Sequence, residues 1–137
     1  MNRTRSLIAV AALALVAVGA RRVLSQDAAK PAEESAPDVK ATIVGVQYEG
    51  VKMWLPGEVF AKAGDTVEIK VINKIPGEGT MHGFSIDAFG VKKVVAQGET
   101  AIVRFKADKA GIFPIYCQLH PAHVGGQLVV LGDGAFH

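Results

Sequence analysis

Downstream of residue 40 the chain is a succession of short apolar runs separated by turn residues: ATIVGVQY, VKMWLPGEVF, TVEIKVIN, HGFSID, VKKVV, ETAIVRF, IFPIYC and QLVVL. The runs are rich in valine, isoleucine and aromatic residues, which suit a pleated, half-buried surface. In TVEIKVIN, Val67, Ile69 and Val71 fall on one side of a strand while Glu68 and Lys70 fall on the other, because successive strand side chains point to opposite faces. One face is therefore core and the other solvent. Gly64-Asp65, Pro76-Gly77 and Gly98 punctuate the runs, and ADKAG at Ala107–Gly111 predicts a turn or a short helical excursion. About eight strands at this spacing, with no long amphipathic helix and no internal repeat, predict an all-β sandwich or barrel.

The N-terminal region follows a different pattern. Arg3 and Arg5 precede an uninterrupted apolar run, LIAVAALALVAVGA, from Leu7 to Ala20. Its 14 residues fall short of the ~20 that a spanning helix needs. Residues 1–25 therefore read as a signal peptide or membrane anchor, the length favouring a signal peptide cut after Ala20 or near Ser25. Residues 26–40, QDAAKPAEESAPDVK, lack large apolar side chains and read as a flexible linker. A single folded domain over 41–133 and a tail over 134–137 complete the predicted organisation. Export to the periplasm or another extracytoplasmic compartment follows, with membrane attachment only through an uncleaved leader.

Charge changes the picture once the leader is set aside. The formal net charge is +2, but Arg3, Arg5, Arg21 and Arg22 all precede the first acidic residue, Asp27. Without residues 1–25, eleven basic residues face thirteen acidic ones. Such a domain has no basic excess for nucleic acid. The sequence also has no serine-centred elbow, paired-carboxylate motif or phosphate-binding glycine loop.

The candidate chemistry lies in two segments, MHGFSID and YCQLHPAHVGG, which hold three of the four histidines and the single cysteine. In an exported chain a lone cysteine is a free thiol, an intermolecular bridge or a metal ligand. Cys117, His120 and His123 form a C-x2-H-x2-H pattern just after an apolar strand, so one loop can turn all three toward a common point. Alternation places His82 with Phe84 and Ile86, and Cys117 with Phe113 and Ile115, at the ends of core-facing rows. Thiolate sulfur suits Cu(I) and imidazole nitrogen suits Cu(II), so His82, Cys117, His120 and His123 predict one copper per chain. A cysteine with three histidines is also acceptable to zinc. Taken singly, Cys117 would be a small buried hydrophobe, His82 a core histidine, and His120 or His123 a solvated loop residue. Met81 and Glu78 are weaker candidates for a fourth ligand, and His137 stands apart at the terminus.

Over roughly Ala41 to Leu131 the sequence resembles the cupredoxins, the small blue-copper proteins. GFSIDAFG, QGET, ADKAG and CQLHP are most similar to the red copper proteins of the nitrosocyanin type. The resemblance implies a Greek-key β-sandwich with copper at one end, bound by a strand histidine and by Cys and His of the last loop. His82, Cys117 and His120 match those positions. The red proteins differ in carrying glutamate in place of His82 and a second loop histidine two residues beyond His123. The short-loop blue proteins of the amicyanin type have C-x2-H-x2-M, with methionine where this chain has His123, and blue proteins usually carry asparagine where it has Gly83. A strong His123 ligand would favour Cu(II), lower the reduction potential and weaken the copper–thiolate bond. The implied function is one-electron transfer with an unidentified redox partner protein, rather than enzymatic catalysis. The His120 edge would be the exit, with Pro121, Ala122 and Val124 as rim. A catalytic or small-molecule-binding role, of the nitric oxide type, at an open copper position, or copper storage and delivery, are the alternatives.

Overall fold

In a computed structural model of the chain, residues 35–78 and 80–134 are described. They contain nine strands: β1 (Val39–Tyr48), β2 (Val51–Leu55), β3 (Glu58–Lys62), β4 (Thr66–Asn73), β5 (Met81–Ile86), β6 (Val91–Ala96), β7 (Thr100–Lys106), β8 (Gly111–Ile115) and β9 (Gly126–Leu131). One sheet has the order β2-β1-β4-β7, with β1 parallel to β4 and antiparallel to β2. A second has the order β3-β9-β8, with β3 parallel to β9. β5 and β6 form an antiparallel pair, joined to the end of β8 through reciprocal bonds between Ser85 and Tyr116, 2.9 and 3.1 Å. The result is the expected all-β Greek-key sandwich.

The core is built from the predicted alternation. Val67, Ile69 and Val71 of β4 are fully buried and meet Val59, Ala61, Phe84, Ile86, Ile115, Leu128 and Val130 in one cluster. A fully buried side chain of this size contributes about 1.5–3 kcal/mol. Pro114 has no N–H to donate, and it sits in β8, an edge strand of its sheet, where that absence costs little.

Of three local expectations two change, and ADKAG takes the turn of its two expected forms. VKMWLPGEVF reads as one run but makes two strands, because Pro56-Gly57 interrupts it and hands the chain from β1, which pairs with β2, to β9, which pairs with β3. ADKAG is an irregular turn, and the one helical excursion among the described residues is a 3-10 turn at Asp87–Phe89. β1 begins at Val39, inside the stretch expected as linker, where Asp38 pins the entry: its N–H donates to Thr66 O at 2.9 Å and its carboxylate accepts from Thr66 N at 2.7 Å. The expected leader, residues 26–34 of the linker, residues 135–136 of the tail and His137 lie outside the described residues.

Candidate metal centre

His82 enters the site from β5, where Phe84 and Ile86 of the same face are sealed in the core. The other donors come from the loop over 116–125, between β8 and β9. Two consecutive turns shape that loop: His120 N donates to Cys117 O at 3.3 Å, and His123 N donates to His120 O at 3.0 Å. Each turn closes over three residues, so the C-x2-H-x2-H spacing returns to the same side at every donor. Both loop ends are fastened. Tyr116 pairs with Ser85 of β5, and Val124 N donates to Lys52 O of β2 at 2.9 Å.

Among the described residues His82, Cys117, His120 and His123 form one group, with one ligand atom from each lying within 4.8 Å of all the others. The ring centroid of His82 is 5.1 Å from that of His120 and 4.8 Å from that of His123. Cys117 Sγ lies 3.5 Å from His120 Nδ1. His82 and Cys117 are buried, His123 is half-buried and His120 is exposed. Met81 is exposed on the opposite side of its strand, and Glu78 is also exposed. All four candidate ligands are thus brought together.

The chemistry of this cluster is that of a metal site. Both ring nitrogens of His82 are buried with no hydrogen-bond partner, an arrangement that is costly unless something else uses the lone pair. Burial, followed by the neighbouring His123, His120 and Lys52, pushes the His82 pKa down to about 4. Burial also lowers that of His123, with His120 and Lys52 adding to the effect. Both rings are therefore neutral at neutral pH, the form in which imidazole binds metal. Gly83 N donates to Cys117 Sγ at 3.1 Å, which fixes the sulfur against β5. A soft sulfur with three nitrogens is a donor set suited to copper in both of its common oxidation states.

Sequence reasoning missed the residues that hold these donors. Trp54 is buried and donates its indole N–H to Gly83 O at 3.2 Å, packing edge-on against Phe84. Gly45 leaves room for it, since a Cβ there would lie 2.7 Å from the indole ring. Gln118 reaches across β5 to Ser85 and Lys93. A lone tryptophan in a strand-like segment was a signal of burial, but nothing in the sequence pointed to Gly83 as its partner.

The Cupredoxin-like domain family matches residues 8–130. A nitrous-oxide reductase of Cupriavidus necator is 43% identical over 60 residues, 44% of this chain and 9% of that enzyme. The chain thus spans about a tenth of that curated relative's length. Among solved structures, the copper-containing nitrite reductase of Thermus scotoductus SA-01 superposes with a TM-score of 0.57 at 24% identity, covering 72% of this chain and 29% of that one. The periplasmic domain of cytochrome oxidase subunit II of Bradyrhizobium japonicum superposes at 0.55 with 20% identity, covering 74% and 90%. These superpositions establish the same fold.

Proposed function

Because the chain belongs to the cupredoxin-like domain family and binds copper, we propose that it is an extracytoplasmic one-electron carrier whose single copper is held by His82, Cys117, His120 and His123. The observation that carries this reading is the His82 ring, sealed in the core with both nitrogens unpartnered and facing a thiol and two further imidazoles. Copper, when bound, supplies the exchange between Cu(I) and Cu(II).

The residues divide the remaining tasks. His82 and Cys117 are 1% and 2% exposed, so they exclude water from the inner side of the site. β5 carries His82, and the Ser85–Tyr116 backbone pair fastens the residue beside Cys117, which would limit movement between oxidation states. His120 is exposed and offers its ring edge as the exit for an electron. Leu119, Pro121, Ala122 and Val124 around it are exposed as well and form an apolar rim for a redox partner protein. Partners of this kind meet over small, transient interfaces. Export rests on Arg3, Arg5 and the apolar run that follows them.

Absorption and electron paramagnetic resonance spectra of the copper-loaded protein, with voltammetry, test the proposal. One copper per chain, a thiolate-to-copper absorption band and a reversible one-electron couple are expected. A chain that takes no copper, or whose copper does not cycle, ends the reading. Titration of the Cu(II) form with azide or nitric oxide should leave the spectrum unchanged, since four side chains would occupy the metal. A spectral change would instead favour a small-molecule site with an open position.

A further inference from the structure

We infer that Gln118 is a positioning residue of the copper site, which locks Cys117 against β5, and that residue 83 is glycine to make room for it. Gly83 does not have a positive φ, so its backbone conformation is open to any residue. What it lacks is space. A Cβ on Gly83 would collide with Oε1 and Cδ of Gln118 and lie 2.9 Å from its Nε2. The glutamine side chain lies directly over the Gly83 Cα.

Its amide is fixed at both ends. The Ser85 hydroxyl donates to Gln118 Oε1 at 2.8 Å, and Gln118 Nε2 donates to Lys93 O of β6 at 2.9 Å. Ser85 is fully buried, so its hydroxyl and the glutamine satisfy each other without water. Tyr116, on the other side of Cys117 in sequence, makes both backbone bonds to the same Ser85. The cysteine is thus clamped through each of its chain neighbours.

The peptide units of Gly83 receive the result. The N–H donates to Cys117 Sγ at 3.1 Å, and the carbonyl accepts the Trp54 indole N–H at 3.2 Å. Trp54 holds this backbone from the core side and Gln118 covers it from the loop side. Between them they set where the N–H meets the sulfur. Without Gln118, the loop would keep Tyr116 and Val124 as fastenings, but Cys117 would be free to turn from the N–H. Residues that orient a metal ligand typically change metal affinity by about 10–100-fold when removed.

The inference rests on the copper reading, so its test includes a metal-free measurement. Gln118→Ala, Gly83→Ala and the double variant are compared for three properties. These are the reaction rate of the apo-protein thiol with an aromatic disulfide, the thiolate-to-copper absorption band, and the rate of copper release to a chelator. Each single variant should raise the release rate about tenfold or more, raise the thiol rate and shift the band. In the Gln118→Ala background, Gly83→Ala should add no more than about twofold, because the collision partner is gone. Thermal melting of each apo-protein confirms folding, and Gln118→Met, of similar length without the amide, replaces Gln118→Ala if that variant does not fold. An unchanged thiol rate and band in the glutamine variant overturn the inference, and so does a full-sized Gly83→Ala effect in the double variant. A wild-type protein that binds no copper defeats the copper reading instead, leaving the thiol-rate arm to judge Gln118.

Discussion

β5 and the loop over 116–125 bring donors to one point by different means. On β5 the donor is part of the core: His82 is 1% exposed, its strand is paired with β6 along its length, and Phe84 and Ile86 beyond it are sealed. In the loop the donors stand on two small turns, and their exposure grades from buried Cys117 through half-buried His123 to exposed His120. The strand half is preformed, and its two unpartnered nitrogens weigh against the apo-protein. The loop half is held differently, because its three donors depend on turn geometry and on side chains such as Gln118. The strand therefore supplies a buried donor that a metal would satisfy, and the loop supplies the three donors that complete the set.

Removing the sulfur breaks the loop half most severely. Cys117→Ser should abolish the thiolate-to-copper absorption and weaken copper binding by at least ~100-fold, beyond the usual effect of disturbing a residue that merely orients a ligand. Spectrophotometric titration measures both. A retained band would mean that sulfur is not bound to the metal.

The strand half responds in the opposite sense with and without metal. Copper added to the wild type at a hundred times its dissociation constant should stabilise the fold by about 2.7 kcal/mol. In a domain of this size that raises the thermal midpoint by ~10 °C or more. His82→Leu should lose that response while making the apo-protein more stable by about 1–2 kcal/mol, since it replaces an unsatisfied buried polar ring with an apolar side chain of similar size. Calorimetry of both proteins with and without copper checks the pair of effects. An apo-protein destabilised by the substitution would assign His82 to core packing.

This contrast also explains what could be read from the sequence. Strand periodicity is local, so Val67, Ile69 and Val71 identified their own core face, and Phe84 and Ile86 identified that of His82. The three-residue spacing of the loop donors was legible because it matches the period of the turns that carry them. Contacts between distant segments were not. β5 is buried on both faces from His82 to Ile86, although Gly83 and Ser85 look like solvent-facing positions, because Gln118 and Tyr116 arrive from more than 30 residues away. For the same reason Pro56-Gly57 reads as an irregularity within one strand rather than a transfer between sheets.

The smallest expected effect is the most informative about the loop. His123→Met puts a weak thioether where the structure has an imidazole whose ring centroid is 4.7 Å from that of His120 and 4.8 Å from that of His82. A weaker ligand at this position stabilises Cu(II) less than Cu(I), so the reduction potential should rise. The copper–thiolate bond should strengthen as the competing nitrogen is withdrawn, giving a more intense visible band. Affinity for Cu(II) should fall by only about tenfold, because His82, Cys117 and His120 remain in place. Voltammetry and absorption spectroscopy of the two proteins at equal copper loading read each change. If potential and colour match the wild type, His123 is not bound to the metal and the loop contributes two donors instead of three. If both move as expected, the half-buried histidine sets the redox character of the site.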